Sequence, residues 1–462
     1  MATMKTISPI DGSVVVEREL SDWAAFDAAL DRAVAAQRSW RQQPLAERLA
    51  VCRKLVDILD AYADAWAPEL SQQMGRPIRF APKEIRTAAA RAKTMCDLAE
   101  DALADVPVKG EAPFKLFVRR DPLGVVLVVP AWNYPWMIAI NSVVPALVAG
   151  NSVVLKHSAQ VPLVAERLGE ALQEAGLPDD VYQYIHASHA DTERAVGDPR
   201  VDFVAFTGSV GGGHAMVRAA KDRFVNQGLE LGGKDPAYVR EDADLDHAIE
   251  NLVDGAFFNT GQSCCGIERI YVHRSLYDKF VEGAVALAKG YKVGDPLDPE
   301  TDLGPVAKAS HAAFVRDEIK KAIDAGATAH LDEAAFEHVK EGTPYLAPQI
   351  LTGVDHSMSV MKEETFGPVV GIMPVDSDEE AIALMNDSPY GLTASVWTRD
   401  VDAALAIGAQ VETGTWFMNR CDYLDPGLAW VGVKDSGRGC TLSKLGYEQL
   451  TRPKSYHLRT TT

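Results

Sequence analysis

Cys264 and Cys265 stand side by side in the stretch Asn259-Thr-Gly-Gln-Ser-Cys-Cys-Gly266, directly before the β-rich run Ile270-Tyr271-Val272. A nucleophilic cysteine has to be presented by a turn, so that its sulfur leaves the packed interior while nearby backbone N–H groups favour the thiolate. Gly261 and Gly266 supply the freedom for such a turn. The competing reading is a pair of small core fillers, because cysteine is among the most buried residue types. Upstream, Gly228-Leu-Glu-Leu-Gly-Gly-Lys234 embeds Glu230 between two leucines. Apolar neighbours disfavour the charged carboxylate and raise its pKa, which suits a general base working near neutral pH. A salt-bridging role fits that setting poorly.

These groups need a scaffold, and the pattern of the chain supplies one. Residues 21–105 are alanine-rich and helical in period, with Leu45, Leu49, Cys52, Leu55, Val56 and Leu59 on one stripe and Asp22, Pro44 and Gly75-Arg-Pro77 as punctuation. From Phe114 the period changes to strand alternation, and Asp121-Pro-Leu-Gly124 turns into the next element. Short apolar runs at 124–129, 152–156, 182–185, 203–207 and 224–230 then alternate with helical stretches. That alternation predicts a parallel, doubly wound α/β sheet. A second α/β block spans about 231–434, with strands near 269–272, 369–374 and 392–397 and helices near 275–290 and 310–325. The usual G-x-G-x-x-G fingerprint is missing. Phe206-Thr-Gly-Ser-Val-Gly-Gly-Gly213 stands in its place between a strand and a helix, where Gly208 and Ser209 can bring backbone N–H groups to a diphosphate or simply make a turn.

With 462 residues, 47% of them hydrophobic, the chain has the material for two or three domains. Lysine and arginine number 46 against 65 acidic residues, a formal charge of −19, which argues against nucleic acid as a partner. No apolar run has the length of a signal peptide or a membrane span, so a soluble, cytoplasmic protein is expected. Six cysteines (Cys52, Cys96, Cys264, Cys265, Cys421, Cys440) in so long a chain make no disulfide framework, and no C-x-x-C pair suggests a metal site. Cys265 reads as a spare packed thiol.

WNYP at 132–135, VVLK at 153–156, FTGS at 206–209, LELGGK at 229–234, GQSCC at 261–265 and EETFGPV at 363–369 follow one another along the chain. Together they resemble the aldehyde dehydrogenase superfamily over nearly its whole length. The resemblance implies a Rossmann-like cofactor domain (1–105 and 125–230), an α/β catalytic domain (231–446) and a β arm (106–124 and 447–462) that joins subunits into a homodimer or homotetramer. It implies Cys264 as the nucleophile, Asn133 with the Cys264 backbone N–H as oxyanion donors, and Glu230 as the base that activates the hydrolytic water. NAD or NADP is the implied cofactor, held by Trp132, Lys156, Ser158, Ala159, Gly208, Ser209, Gly213, Leu231, Glu364 and Phe366. Trp136, Met137, Trp416, Phe417, Arg420 and Trp430 are the implied substrate contacts, and no metal is implied.

Two departures qualify the picture. Relatives often read Lys-Pro-x-Glu where this chain reads Lys156-His-Ser-Ala159, and the lost acid removes a repulsion that would exclude a 2′-phosphate, so NADP should be accepted. His157 reads either as a phosphate neighbour or as a surface histidine with no role. Ser142 stands where many relatives carry a lysine, leaving the route of proton exit open. The tunnel aromatics suggest an apolar or aromatic aldehyde. Arg420 with Asp422 and Tyr423, and the likeness of Lys-His-Ser-Ala to some succinate-semialdehyde-type relatives, suggest a carboxylated one. A CoA-acylating enzyme and a catalytically silent structural or binding relative are the alternatives; Glu230 weighs against the first, and Cys264, Glu230 and Asn133 together weigh against the second.

Overall fold

The computed structural model describes residues 2–461. A hairpin of Thr3–Ile7 and Val14–Glu19 precedes three long helices, Trp23–Trp40, Leu45–Met74 and Ala81–Ala102. The sequence punctuation holds. Asp22 accepts the Ala25 N–H at 2.9 Å as an N-cap, and Gly75 ends the second helix at φ 85°, a left-handed stop that costs glycine little.

The first sheet runs, in spatial order, Gly437–Arg438, Asn226–Glu230, Val201–Thr207, Val125–Val129, Ser152–Leu155 and Tyr182–Tyr184. All pairings are parallel except that of Gly437–Arg438 with Leu229 and Glu230. Val125–Val129 is buried throughout because both faces of the sheet are covered. Val126 and Val128 pack with the helices Leu45–Met74, Ala81–Ala102, Pro135–Ala149 and Pro162–Glu174, while Val125, Leu127 and Val129 pack with Phe26, Leu30 and Ala33 of the first helix.

The second sheet orders Thr328–Ala329, Gln349–Thr352, Val369–Val375, Ile267–His273, Asp235–Val239, Thr393–Trp397 and Thr415–Met418, parallel apart from its first strand. Leu245–Phe257 and Tyr277–Lys289 cover one face, and Ala309–Asp324, Asp378–Asn386 and Val401–Gly408 cover the other. Both sheets are therefore of the doubly wound kind expected from the alternation of apolar runs. The link between them is the five-residue step from Glu230 to Lys234: Glu230 ends the last parallel strand of the first sheet and Asp235 opens a central strand of the second. A third, antiparallel sheet joins Val106–Val108, Phe114–Pro122 and Thr451–Arg459, the last two over nine residue pairs. No helix is long and apolar enough to cross a membrane among the described residues.

Candidate active site

The nucleophile turn is held in a conformation that few residues adopt. After the helix Leu245–Phe257 the chain takes three successive left-handed positions, Asn259 (φ 55°), Thr260 (φ 57°) and Gly261 (φ 70°). Each non-glycine residue there costs about 1–3 kcal/mol, so the surroundings must fix the turn. They do so with side-chain bonds: the Gln262 amide donates to the Asn259 carbonyl at 3.0 Å and accepts the Ala307 N–H at 2.8 Å, and the Thr260 hydroxyl donates to the Gly304 carbonyl at 2.8 Å. A Cβ at Gly261 would lie 2.2 Å from the Gly367 carbonyl oxygen, so this glycine lets the Phe366-Gly-Pro segment pass against the turn. The two glycines after Glu230 act likewise. A Cβ on Gly232 would strike the Glu364 carboxylate, and one on Gly233 would lie 2.4 Å from the Cys264 carbonyl.

Cys264 is half-buried and Cys265 is buried among core residues, beside the Ser263 hydroxyl at 3.6 Å. The two readings of the sequence thus apply to one cysteine each. Contact with the Cys265 thiol, burial, and the nearby Asp235 and Glu230 push the Cys264 thiol well above its ordinary value. The surroundings of the sulfur thus disfavour the thiolate that the nucleophile turn was expected to favour. The Cys264 N–H has no hydrogen-bond partner among the described residues. Asn133 is 3% exposed; its amide nitrogen donates to the Gln262 carbonyl at 3.3 Å, and its own carbonyl accepts from Arg76 at 2.7 Å and Asn259 at 3.3 Å. The amide braces the turn with one N–H and has a second to offer.

Glu230 forms no ion pair among the described residues; its oxygens accept the hydroxyls of Thr441 (2.5 Å) and Thr207 (3.1 Å). Burial pushes its carboxyl up, with the two hydroxyls and Arg91 pulling it partly back. Cys264, Cys265, Glu230 and Thr207 wall a cavity of about 590 Å³ together with Arg76, Glu84, Arg91, Tyr134, Met137, Ile138, Asn141, Phe258, the 422–426 loop and Trp430.

Of the substrate contacts expected from the sequence, Met137 and Trp430 reach this cavity. Trp136 does not: it is 1% exposed and stacked on Trp66 at 5.3 Å, since consecutive helical residues point about 100° apart and Trp136 falls on the face turned away from the cavity. Trp416 and Phe417 lie outside the cavity wall. The Trp416 indole donates to the Ala404 carbonyl at 3.0 Å and packs over Gly408, and Phe417 is half-buried on the edge strand beside it. Arg420 is exposed and lies over the Tyr423 ring at 3.4 Å, held outside the cavity by that stacking. What the sequence reading missed is the charged set formed by Arg76, in the turn after the second helix, and Glu84 and Arg91 on the third. Arg76 donates to Glu84, Asn259 and Asn133 and lies over Tyr134 at 4.3 Å. Arg91 is 7% exposed and, among the described residues, donates only to Asn141 Oδ1 at 3.3 Å and leaves its buried Nε without a partner. A signal existed: Glu84, Ala88, Arg91 and Met95 share the i, i+4, i+7, i+11 stripe that is otherwise apolar.

On the other side of the turn lies a cleft of about 1100 Å³, at the carboxyl ends of the strands where the order of the first sheet reverses. Trp132, Lys156, Ser158, Ala159, Gly208 and Ser209 line it, and Thr207 borders both cleft and cavity. Ser209 caps the helix Val210–Ala219 through the Gly212 N–H at 3.2 Å, so a helix N-terminus opens on the cleft. Lys156 is 7% exposed and has no ion pair among the described residues, and burial pulls its ammonium below the ordinary value. Gly213 and Leu231 do not line the cleft. A Cβ on Gly213 would lie 2.8 Å from the Leu231 methyls, so the pair sets how closely helix and strand pack. Glu364 is turned onto the Gly233 N–H at 3.1 Å, away from the cleft wall; burial, reinforced by Glu268, pushes it up to about 8. Phe366 stands edge-on to Trp132 at 5.7 Å. His157 is buried, correcting the surface reading: its Nδ1 accepts the Ser158 N–H at 2.8 Å, its Nε2 faces the Pro135 carbonyl at 3.4 Å, and burial pulls it down to about 3. It therefore ties the Lys156–Ala159 loop to the Asn133 loop as a neutral ring.

Comparison with known proteins agrees with this architecture. Residues 1–456 match the model of the aldehyde dehydrogenase family. A probable NADP(+) succinate-semialdehyde dehydrogenase of Synechocystis is 34% identical over 97% of this chain and 98% of its own. A 2-hydroxymuconic semialdehyde dehydrogenase of Pseudomonas is 35% identical over 95% and 92%. The crystal structure of succinic semialdehyde dehydrogenase from Streptococcus pyogenes with NADP+ superposes with a TM-score of 0.94 at 31% identity, covering 99% of this chain and all of that one. The chain belongs to the aldehyde dehydrogenase family and is an NAD(P)-dependent enzyme that oxidises an aldehyde to the carboxylic acid.

Proposed function

We propose that Cys264 is the nucleophile of a hydrolytic, NADP-accepting dehydrogenase whose substrate is an aldehyde carrying a carboxylate. The observation that carries the mechanism is the meeting of two spaces at one turn, with Cys264 and Glu230 in the wall of the cavity, Asn133 bonded to the turn, and the cleft behind. The Cys264 thiol gives its proton to solvent water as the sulfur bonds to the aldehyde carbon, and the carbonyl electron pair moves onto the oxygen, whose negative charge lies between the Asn133 amide and the Cys264 N–H. The thioester forms when the oxygen's electron pair returns to the carbon and the aldehyde C–H bond breaks as hydride, which a nicotinamide dinucleotide bound in the cleft would accept. Glu230 then takes a proton from the water that attacks the thioester, the C–S bond breaks, and the acid leaves. The embedded Glu230 weighs against a CoA-acylating reaction.

Arg91 supports the carboxylate. A buried guanidinium with one long hydrogen bond and an orphaned Nε is costly unless a ligand completes it, and a carboxylate is its natural bidentate partner. Arg76, by contrast, is fully engaged. The semialdehyde names of the relatives point the same way. For the cofactor, His157 is buried against the Pro135 carbonyl and stays out of the cleft wall, leaving room beside a neutral Ala159. Lys156, Ser158 and Lys5 line the same cleft as donors. The arm strands leave Val106, Val108, Phe114 and Leu458 exposed, which supports pairing of subunits into dimers or tetramers there. The division into a cofactor unit (1–105, 125–230), a catalytic unit (231–446) and an arm (106–124, 447–462) follows the sheets, except that Gly437–Arg438 returns to the first one.

Reduced-cofactor absorbance tests the reading directly. Purified enzyme is expected to reduce NADP with a short ω-carboxylated aldehyde, without CoA, and more efficiently than with the uncharged aldehyde of equal length. A strict requirement for CoA, or equal efficiency on the two aldehydes, would overturn it.

A further inference from the structure

Glu230 faces two spaces. On one side is the substrate cavity; on the other is a small pocket with room for about one water molecule, walled by Ser142, Thr207, Glu230, Arg438, Gly439, Cys440, Thr441 and Gln449. Arg438 and Gly439 are exposed and Cys440 is half-buried, so this pocket lies between the carboxylate and the surface. The Thr441 hydroxyl, 2.5 Å from Glu230 Oε1, is shared between the carboxylate and the pocket. Its strand position is fixed by two backbone bonds with Trp430, at 2.8 and 3.0 Å. The outer wall is fastened as well: Gln449 accepts the Cys440 N–H at 3.1 Å and donates to the Cys440 carbonyl, and Arg438 donates to Gln227 at 3.0 Å.

Deacylation releases a proton that has to leave before the next turnover. The substrate side is a poor exit while the acid product occupies it. We propose that the proton accepted by Glu230 leaves through the Thr441 hydroxyl and a water held in the pocket beside Ser142, reaching solvent at the Arg438–Cys440 edge. The step is a simple relay. The protonated Glu230 donates to Thr441 Oγ1, whose own hydrogen passes to the pocket water, and that water releases one to solvent; no bond to carbon and no electron is involved. The groups facing Glu230 are Thr207 and Thr441 by hydrogen bond and, by charge, Arg91, Cys264 and Cys440. Only the threonine hydroxyls can both accept from and donate to the carboxyl without changing their own charge.

The proposal rests on Glu230 as the base of deacylation, and the test separates the two. Thr441→Val keeps the shape and removes the hydroxyl. It is expected to leave the pre-steady-state burst of reduced cofactor intact and to lower the steady-state rate about tenfold or more, the range of a lost proton-transfer group. The acid limb of the pH profile should move to higher pH, because a hydrogen bond that lowers the Glu230 pKa is lost. The lost rate should return with rising concentration of a small buffer base, and Thr441→Ser should keep most of it. Ser142→Val, which fills the pocket from the far side, should also slow the steady state in a buffer-dependent way. If Glu230→Gln slows turnover while both variants run at the wild-type rate, or if their losses are indifferent to buffer, the route is wrong and the base assignment stands. If Glu230→Gln itself leaves the steady state unchanged, the base assignment falls and the route with it.

Discussion

On the cofactor side of Cys264 the walls are strand ends, a helix N-terminus and glycines; on the substrate side they are side chains from three helices, the nucleophile turn and the 422–426 loop. The first surface is made of backbone, and backbone can approach a ligand only where certain residues stand at certain spacings. Gly208 and Gly212 illustrate this, since a Cβ on either would come within 2.7 Å of the Phe206 ring. The second surface is made of residues far apart in sequence, each free to vary provided the cavity stays lined. A cleft of the first kind serves one chemical handle common to many reactions, while a cavity of the second kind selects among substrates. The reacting groups sit where the two kinds of wall meet, and substitutions there and on either side should differ in kind.

The largest loss is expected where the spaces meet. Cys264→Ala should abolish turnover, because no other thiol reaches the cavity in a half-exposed state, while Cys265→Ala should keep most of the rate. Steady-state rates on the two purified variants check this, and the reverse pattern would exchange their roles. Next comes Glu230→Gln. The burst of reduced cofactor should survive, while the steady state falls by about 10²-fold or more as the water loses its base. In the wild type the base works only when ionised, and burial raises its pKa. The steady-state rate should therefore fall as pH drops through a value above the ordinary carboxylate range, and that limb should vanish in the Gln variant.

The contrast between the two walls also explains what could be read from the chain alone. The doubly wound sheets, the capping Asp22, the stop at Gly75 and the turn around Gly261 follow from periodicity and from residues whose conformational limits are strict. Gly213 and Leu231 pack helix against strand instead of lining the cleft, because the same glycine pattern serves ligand approach and helix packing. Trp136, Trp416, Phe417 and Arg420 were misplaced more seriously. Being near the site in sequence fixed which element carried them, but the face of the helix or strand decided whether they reached the cavity. Arg91 lies 173 residues before Cys264, and nothing local links them. Its one trace was a charge on an apolar helical stripe.

On the substrate side, Arg91→Met tests whether the orphaned guanidinium is a specificity element. Loss of a charge-assisted bidentate contact of about 2–3 kcal/mol corresponds to roughly a 30- to 150-fold fall in kcat/KM for a carboxylated aldehyde. The change should fall mainly on KM, and the uncharged aldehyde of equal length should be nearly unaffected. Equal losses on both substrates would assign Arg91 to holding Asn141 and the cavity wall.

The smallest effect is expected on the cofactor side, where the wall is open and its chemistry rests mainly on backbone. Ala159 is exposed, its carbonyl is held by the Thr6 hydroxyl at 2.8 Å, and its methyl stands in the cleft with Ser158 and the buried ammonium of Lys156. A 2′-phosphate meets no carboxylate from this loop. Ala159→Glu introduces one without moving the backbone, since the carbonyl bond to Thr6 does not involve the side chain. Solvent reaches position 159, so the repulsion is screened and should amount to about 1–2 kcal/mol, roughly a five- to thirtyfold shift of kcat/KM from NADP towards NAD. The shift should shrink as salt is raised, which a steric effect would not do. Measuring both cofactors on wild type and variant at low and high ionic strength decides it. Strict NAD dependence in the wild type, or a ratio unmoved by the new carboxylate, would place discrimination elsewhere in the cleft, with Lys5 on the N-terminal hairpin as the next position to vary.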